Sequence, residues 1–455
     1  MANTYQTLTE IAGKALKRSQ NNMALVSRVT RDWDDEFGRR GRKIGKTFHL
    51  RKPNRYLHVA GPDITGVIKD YVDPPTIPIT LDQQPVIPLA FTSADWLLNV
   101  DEYEDRMWGP GADQLANVAD SSIAVLYRGV GNTVGAGGAS ALTGQAVNPT
   151  PGTALISTGT PNPYRVFLYG NAMLHQEGAP PDGRIALVDP LVQVELVDYL
   201  KQFHVPIDVL SKQYKKGLIT MGAGMEWAYY QNIYNHTTAS AFTHGSALLD
   251  GALSQATYAG INTLTVDGYT ASANKIFLAG DMFQIGPITT FGLASGVQAV
   301  NPLSRRSMTW LRSFVATQDV TTDTNGRATV TFAPTMQLPT LNDVPATANP
   351  LQNVDRAAVD NATISFWGVR ATTYNAKSTL MDLIFHPQAF AFACVELPLF
   401  EGVHKAGRAT DDKTGISIRV AQIWDGYTDK LITRMEMLYG TAVPMPEWAV
   451  RVQTT

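Results

Sequence analysis

The sequence predicts an α+β chain with a β module set into it, and three observations carry that prediction. Amphipathic helical patterns and strand-like runs alternate along most of the 455 residues. Between about 250 and 345 helical periodicity gives way to short β-branched and aromatic runs closed by Gly, Asp and Asn. These runs are Leu264-Thr265-Val266-Asp267-Gly268, Lys275 to Ile285, and Ala328-Thr329-Val330-Thr331-Phe332. The mixed pattern then resumes as though the module were absent, so it reads as an insert.

At the start, Thr7-Leu8-Thr9-Glu10 fits a capping box, and Leu8, Ile11, Ala12 and Ala15 follow on one helical face. A helix this short is marginal alone, so it needs its own body or a neighbour to lie against. Lys46 to Arg51 alternates as a half-exposed strand. Prolines 53, 62, 74, 75, 78, 85 and 88 then punctuate pieces such as Ile77 to Leu81, the pattern of edge strands. The expectation is a long two-stranded flap stabilised by packing on another subunit.

Ser93 can cap a helix with Trp96, Val100, Tyr103 and Met107 on one face, ended by Gly109-Pro110-Gly111. A second helix carries Leu115, Val118, Ala119, Ser122, Ile123, Leu126 and Val130, a long apolar spine. The stretch Gly129 to Gly144 follows a helix and lacks G-x-G-x-x-G and Gly-Lys-Ser/Thr, so it reads as a flexible connector and not a phosphate loop. Pro163 to Glu177 reads as a helix, Arg184 to Val188 as a buried strand, Pro190 to Phe203 as a proline-started helix, and Gly217 to Tyr230 as a Gly-rich β region. Beyond the insert, Ala362 to Trp367, Leu383 to Phe385, Ile416 to Trp424 and Lys430 to Tyr439 are strand-like.

The net charge of −3 hides an asymmetry. Through Arg55 the chain is +8, and the remainder is −11. A basic arm on an acidic body suits a polyanion or an acidic neighbouring subunit as readily as a solvated surface. Cys394 is the only cysteine, so no intramolecular disulfide forms; it reads as a small buried hydrophobe in a reducing compartment. No signal peptide or membrane-length apolar run is visible, which predicts a soluble intracellular product without membrane contact.

Chemistry is not legible. The eight histidines form no H-E-x-x-H or H-x-H, and no G-x-S-x-G occurs. The acids Asp101, Glu102, Glu104 and Asp105 read as a solvated face with Glu102 and Arg106 at pairing distance along a helix. Asp32, Asp34 and Asp35 lack EF-hand spacing and suit nearby arginines. The expectation is therefore no catalytic, metal or cofactor site, and no enzyme.

Three segments carry a resemblance. They are Leu174 to Arg184 with Val188-Asp189-Pro190; Gly217 to Trp227 with Gln231, Asn232 and His236; and Phe385 to Phe390 with Ile416 to Val420 and Arg434 to Gly440. Together with Ala279 to Phe283 and Phe314 to Asp319 of the insert, in this order and spacing, the chain resembles the major capsid (coat) proteins of tailed double-stranded-DNA bacteriophages. It is similar above all to the coat-protein branch of phage P-twenty-two, on the Hong Kong ninety-seven-type fold with an inserted β-barrel domain. The match runs from about residue 45 onward.

The resemblance implies an N-terminal arm over 1–44, an extended β loop over 45–92, a peripheral domain with the spine helix over 93–135, and an axial domain over 136–247. It further implies an inserted β-barrel over 248–350, and over 351–455 a return through the axial domain to the peripheral sheet. The implied function is assembly, as pentamers and hexamers, of an icosahedral head enclosing double-stranded DNA in a virion built in the host bacterial cytoplasm. Implied partners are a scaffolding protein, a portal protein, DNA bound without sequence preference and, where one exists, a decoration protein. The arm begins almost at once, so the scaffolding protein is expected to be separate. Lys14, Lys17 and Arg18 are the candidates for inner-surface contact with DNA or scaffold, and Arg51, Lys52 and Arg55 for inter-subunit charge pairs. Lys46, Lys52 and Lys69 lie where some relatives cross-link a lysine to an asparagine, with no specific signal for it here. The alternatives are an encapsulin-like compartment shell and a tail-tube or other β-rich binding protein.

Overall fold

A computed structural model describes residues 8–30, 47–53, 55–56, 61, 76–92, 109–135, 163–200, 221–239, 242–243, 248–269, 271, 275–286, 296–341, 347–366, 373–374, 378–399, 405–410 and 416–454. Helices α1 to α4 span Leu8–Asn22, Gly109–Ala124, Pro163–Gln176 and Pro190–Leu200. The fold is mixed α+β, in two compact units. One unit comprises Met1–Leu50, Thr76–Leu126 and Phe390–Pro444; the other comprises Arg51–Pro75, Tyr127–Ala389 and Met445–Thr455. The capping residue Thr7, the helix expected from Ser93 with its Glu102–Arg106 pair, the aspartates 32, 34 and 35, and Lys46 and Lys69 lie outside the described residues.

The first unit is built on an antiparallel four-stranded sheet in the order Lys405–Thr410, Ser417–Asp425, Lys430–Glu436, Val86–Thr92. Val86–Thr92 is its edge, where Pro88 opposite Arg434 needs no ladder donor. α1 buries Ala12, Ala15, Leu16 and Ser19, one face at helical spacing, against α2 and the two strands 405–410 and 417–425. The arm helix therefore lies on its own body. The residues Gly109-Pro110-Gly111, expected to break a helix, instead open α2; a proline in the first turn loses no helical hydrogen bond.

The flap also departs from expectation. Strands Thr47–Arg51 and Thr76–Thr80 form the predicted two-stranded ribbon. Ile79 and Leu81 are nonetheless buried against Ala391, Ala393 and Ala442 of the same unit. Gly440 admits this contact, because a Cβ there would collide with the Thr80 carbonyl. The base of the flap therefore draws on the chain's own core.

The second unit holds a mixed sheet in the order Thr133–Gly135, Ala449–Thr454, Ser378–Phe385, Ile185–Val188, Met225–Tyr229, Met221–Gly222, with Asn235–Thr237 also on Ser378–Phe385. α3 and α4 cover it through Phe167, Leu174, Val192 and Leu196, which join Trp227, Ile384, Val450 and Val452 in one core. The connector reading fails at its start: Thr133–Gly135 pairs in parallel with the last strand. Gly131 serves close approach there, since a Cβ would stand 2.6 Å from the Ser313 carbonyl oxygen.

Within the same unit, residues 248–366 form an antiparallel sheet in the order Leu248–Leu249, Ile261–Asp267, Ala328–Met336, Ser313–Ala316, Met282–Ile285, Ile364–Phe366. A bridge from Leu248 to Thr363 joins its two ends, with Leu249 N–H donating to the Ala362 carbonyl at 2.9 Å. Inside, Phe277, Phe283, Phe314 and Phe332 pack ring against ring at centroid distances of 5.0–5.9 Å.

Candidate functional site

The expected arm residues sit on α1. Lys14 and Lys17 are exposed, while Arg18 makes a two-pronged contact to the Asp113 carboxylate on α2, with N–O distances of 2.8–3.1 Å. Behind them, Ser19 Oγ donates to the Ala112 carbonyl at 3.0 Å. Where the chain leaves α1, Asp120 of α2 accepts the backbone N–H groups of Ala24, Leu25 and Val26, the closest at 2.6 Å. Burial pushes the Asp120 carboxyl up; the three N–H donors and Arg28 pull the other way but do not outweigh it.

Of the expected loop residues, Arg51 is exposed and Lys52 half-buried, and Arg55 pairs with Glu447 at 3.1 Å. This pair belongs to a larger charge cluster. Glu177, at the end of α3, is buried and takes a 2.6 Å contact from the equally buried Arg312. Burial drives the Glu177 carboxyl up, Glu447 adds to the rise, and Arg312 and Arg55 oppose it. Glu447 goes the other way: burial raises it, but Lys52, Arg55, its own backbone and Arg312 together hold it below the ordinary range. Two acids in one cluster are thus driven apart by their neighbours.

A second buried network centres on His236. Its Nδ1 lies 2.7 Å from the Tyr127 hydroxyl and its Nε2 2.9 Å from Asp281 Oδ1. A ring protonated at Nε2 satisfies both, donating to the carboxylate and accepting from the phenol. The other Asp281 oxygen accepts Leu278 N–H at 2.8 Å and Ala239 N–H at 3.2 Å, and Arg451 Nη1 donates to the Gly280 carbonyl at 2.9 Å. The group is enclosed and hydrogen-bonded to structural partners, an arrangement suited to joining segments and not to meeting a substrate.

At the turn between strands 417–425 and 430–436, Trp424 is 58 % exposed and Tyr427 fully exposed, with Ile423 partly exposed beside them. Asp425 organises this turn by accepting Tyr427 N–H at 3.0 Å and the Thr428 hydroxyl at 2.6 Å. These side chains stand in water at the hairpin turn. Among the described residues no group of His, Cys, Asp and Glu is placed to hold a metal, and no helix is long and apolar enough to cross a membrane. Cys394 is buried, its sulfur 3.4 Å from the Ser417 N–H.

Sequence reasoning missed three of these features. Asp120 was within reach, being a carboxylate on the apolar α2 face between Ala119 and Ile123. Trp424 and Tyr427 bracket a turn where polar residues are usual, which is also a readable signal. Glu177 and Arg312 are 135 positions apart, and nothing local joins them.

No family model and no curated protein matches the chain. Among solved structures it is similar to one titled "Mycobacterium phage Che8", at 11 % identity and a TM-score of 0.40, over 94 % of this chain and 90 % of that one. It is also similar to one titled "Asymmetric unit of bacteriophage PhiM1 mature capsid", at 10 % identity and a TM-score of 0.39, over 90 % and 82 %. A virus-like particle from Pyrococcus furiosus is similar at 8 % identity and a TM-score of 0.32, over 98 % of each chain. At these identities and TM-scores the likenesses place the chain in no family.

Proposed function

We propose that this chain is the major capsid protein of a tailed double-stranded-DNA bacteriophage, assembling as pentamers and hexamers into an icosahedral head. The observation that carries this reading is the order of parts. A basic helix comes first, then a two-stranded excursion, a spine helix, a mixed sheet and a β-rich segment, and the chain returns to the first unit's sheet. That order follows the one the sequence resemblance implies, in which residues 248–350 are an inserted β-barrel. The exposed Ile423, Trp424 and Tyr427 supply apolar contact area that a single copy leaves in water.

In this reading, shell closure sums many weak repeated contacts, so subunits stabilise one another as the shell completes. Lys14 and Lys17 meet DNA phosphates or a scaffolding protein on the inner surface, with Arg18 supporting the helix through Asp113. Arg51 extends towards an acidic neighbour, while Lys52 and Arg55 share their charge with Glu447. A separate scaffolding protein, a portal and a virion location complete the proposal.

The test is to express the chain with and without the scaffolding gene next to it and image the products by electron microscopy. Closed uniform shells are expected; folded monomers in both cases, or open tubes, would sink the reading. Reversing charge at Lys14 and Lys17 to Glu should leave the monomer folded and reduce shells or packaged DNA. Deleting residues 1–20 is a poorer test, because α1 supplies buried area to its own unit.

A further inference from the structure

We propose that the buried charge cluster at the loop base is a coupling joint, through which the seating of Arg55 on Glu447 sets how firmly Arg312 holds the insert on Glu177. Arg55 pairs with Glu447 on the turn Pro446–Trp448, and Arg312, between two strands, pairs with Glu177 just past α3; Ser313 beside Arg312 lies against Gly131, next to the Asn132 that holds the Glu447 carbonyl. The inference concerns this chain alone and holds whether or not the chain builds a shell.

The geometry gives the joint two linked halves. Arg55 contacts Glu447 at 3.1 Å, and Arg312 contacts Glu177 at 2.6 Å. The halves are not insulated from each other. Glu177 feels the charges of Glu447 and Arg55, and Glu447 feels those of Lys52 and Arg312. Arg305, on the same insert turn that sends Asn301 Nδ2 to the Gln176 carbonyl at 2.6 Å, feels the like charge of Arg55. The turn bearing Glu447 is pinned, because its carbonyl accepts Asn132 Nδ2 at 3.1 Å. The Glu447 backbone is therefore held in place when Arg55 moves.

The consequence follows from charge. With Arg55 seated, the two carboxylates share two guanidinium groups and the Lys52 ammonium. With Arg55 withdrawn, Glu447 loses a partner and competes with Glu177 for the attraction of Arg312. The insert strand next to Arg312 is then held less firmly. Such coupling is reciprocal, so loosening Glu177 frees Arg312 for Glu447 and must weaken the seating of Arg55. The His236–Asp281 tie, which also joins insert and host sheet, shares none of these groups and serves as an internal reference.

Hydrogen exchange read by mass spectrometry on the full chain tests this, using Arg55→Gln and Arg55→Lys. Arg55 is partly exposed, so either variant should fold. Arg55→Gln should speed exchange about tenfold across residues 307–316 and 176–178, with 235–239 and 278–282 unchanged, and Arg55→Lys should leave 307–316 near wild type. Acceleration confined to 51–56 and 446–448, or spread evenly over all segments, would overturn the proposal. Glu177→Gln supplies the reverse arm: faster exchange at 51–56, as Arg312 turns to Glu447 and displaces Arg55, supports the joint, and no change there refutes it.

Discussion

In the 248–366 sheet, four phenylalanines pack ring on ring within one stretch of chain, whereas the first unit joins three distant stretches through alanine faces and single polar groups. One seam there is Ala12 and Ala15 of α1 on α2, closed by Ser19, Arg18 and Asp120. Another is Ile79 on Ala391, Ala393 and Ala442. Large apolar groups give a region its own stability and tolerate no gap. Small faces bring backbones close and leave the join to a few directional bonds, so a change at one atom is felt.

The comparison is broken most directly at Phe283. Phe283→Ala should cost about 3–5 kcal/mol by cavity formation, read in urea unfolding of the full chain. A loss below that would mean the ring stack is not the core of the region. Asp120→Ala comes next, since three N–H groups, two of them buried, lose their acceptor, and a loss of roughly 2–3 kcal/mol is expected. Limited proteolysis should then cut after α1 first.

The two cluster acids should show opposite pH behaviour. Glu447 is held below its ordinary range, so the folded state resists its protonation. Its stabilisation is present above the ordinary carboxylate value and is lost as pH falls towards the folded one. The deficit of Glu447→Gln should therefore shrink on acidification. Glu177 is held high, so the folded state takes the proton first and gains stability as pH falls from its folded value to the ordinary one. The deficit of Glu177→Gln should grow over that window. Denaturant titrations at several pH values decide it, and parallel slopes would refute the split.

Arg18→Gln should cost only about 0.5 kcal/mol, because the Asp113 pair is part-exposed despite its two-pronged geometry. The smallest effect is expected from Trp424→Ser with Tyr427→Ser: monomer stability within about 0.5 kcal/mol of wild type, while the self-assembly that the proposed function requires falls sharply in sedimentation. A large loss of stability would show that the aromatic turn is part of the unit's own core.

Periodicity decided much of what formed. The α3 helix, the Ile185–Val188 strand, the proline start of α4 and the Ala328–Phe332 part of the 328–336 strand were all readable, because each carries its signal within a few residues. What stayed hidden depended on partners. Gly131 looked like a flexible residue and is a contact with Ser313, 182 positions away in sequence. Proline-rich residues 76–92 looked like one flap, yet Val86–Thr92 is taken by the C-terminal sheet through seven residue pairings to Lys430–Glu436.

By itself, then, the sequence determined the α+β character and the charge contrast between arm and body. Those follow from local spacing and composition, which any short window contains. Tertiary structure alone decided that α1 lies on its own unit, that Asp120 holds the chain leaving it, and that Arg55 pairs with Glu447 and Arg312 with Glu177. Each of those joins residues scores to hundreds of positions apart, and burial and charge acquire their values only once the chain has brought them together.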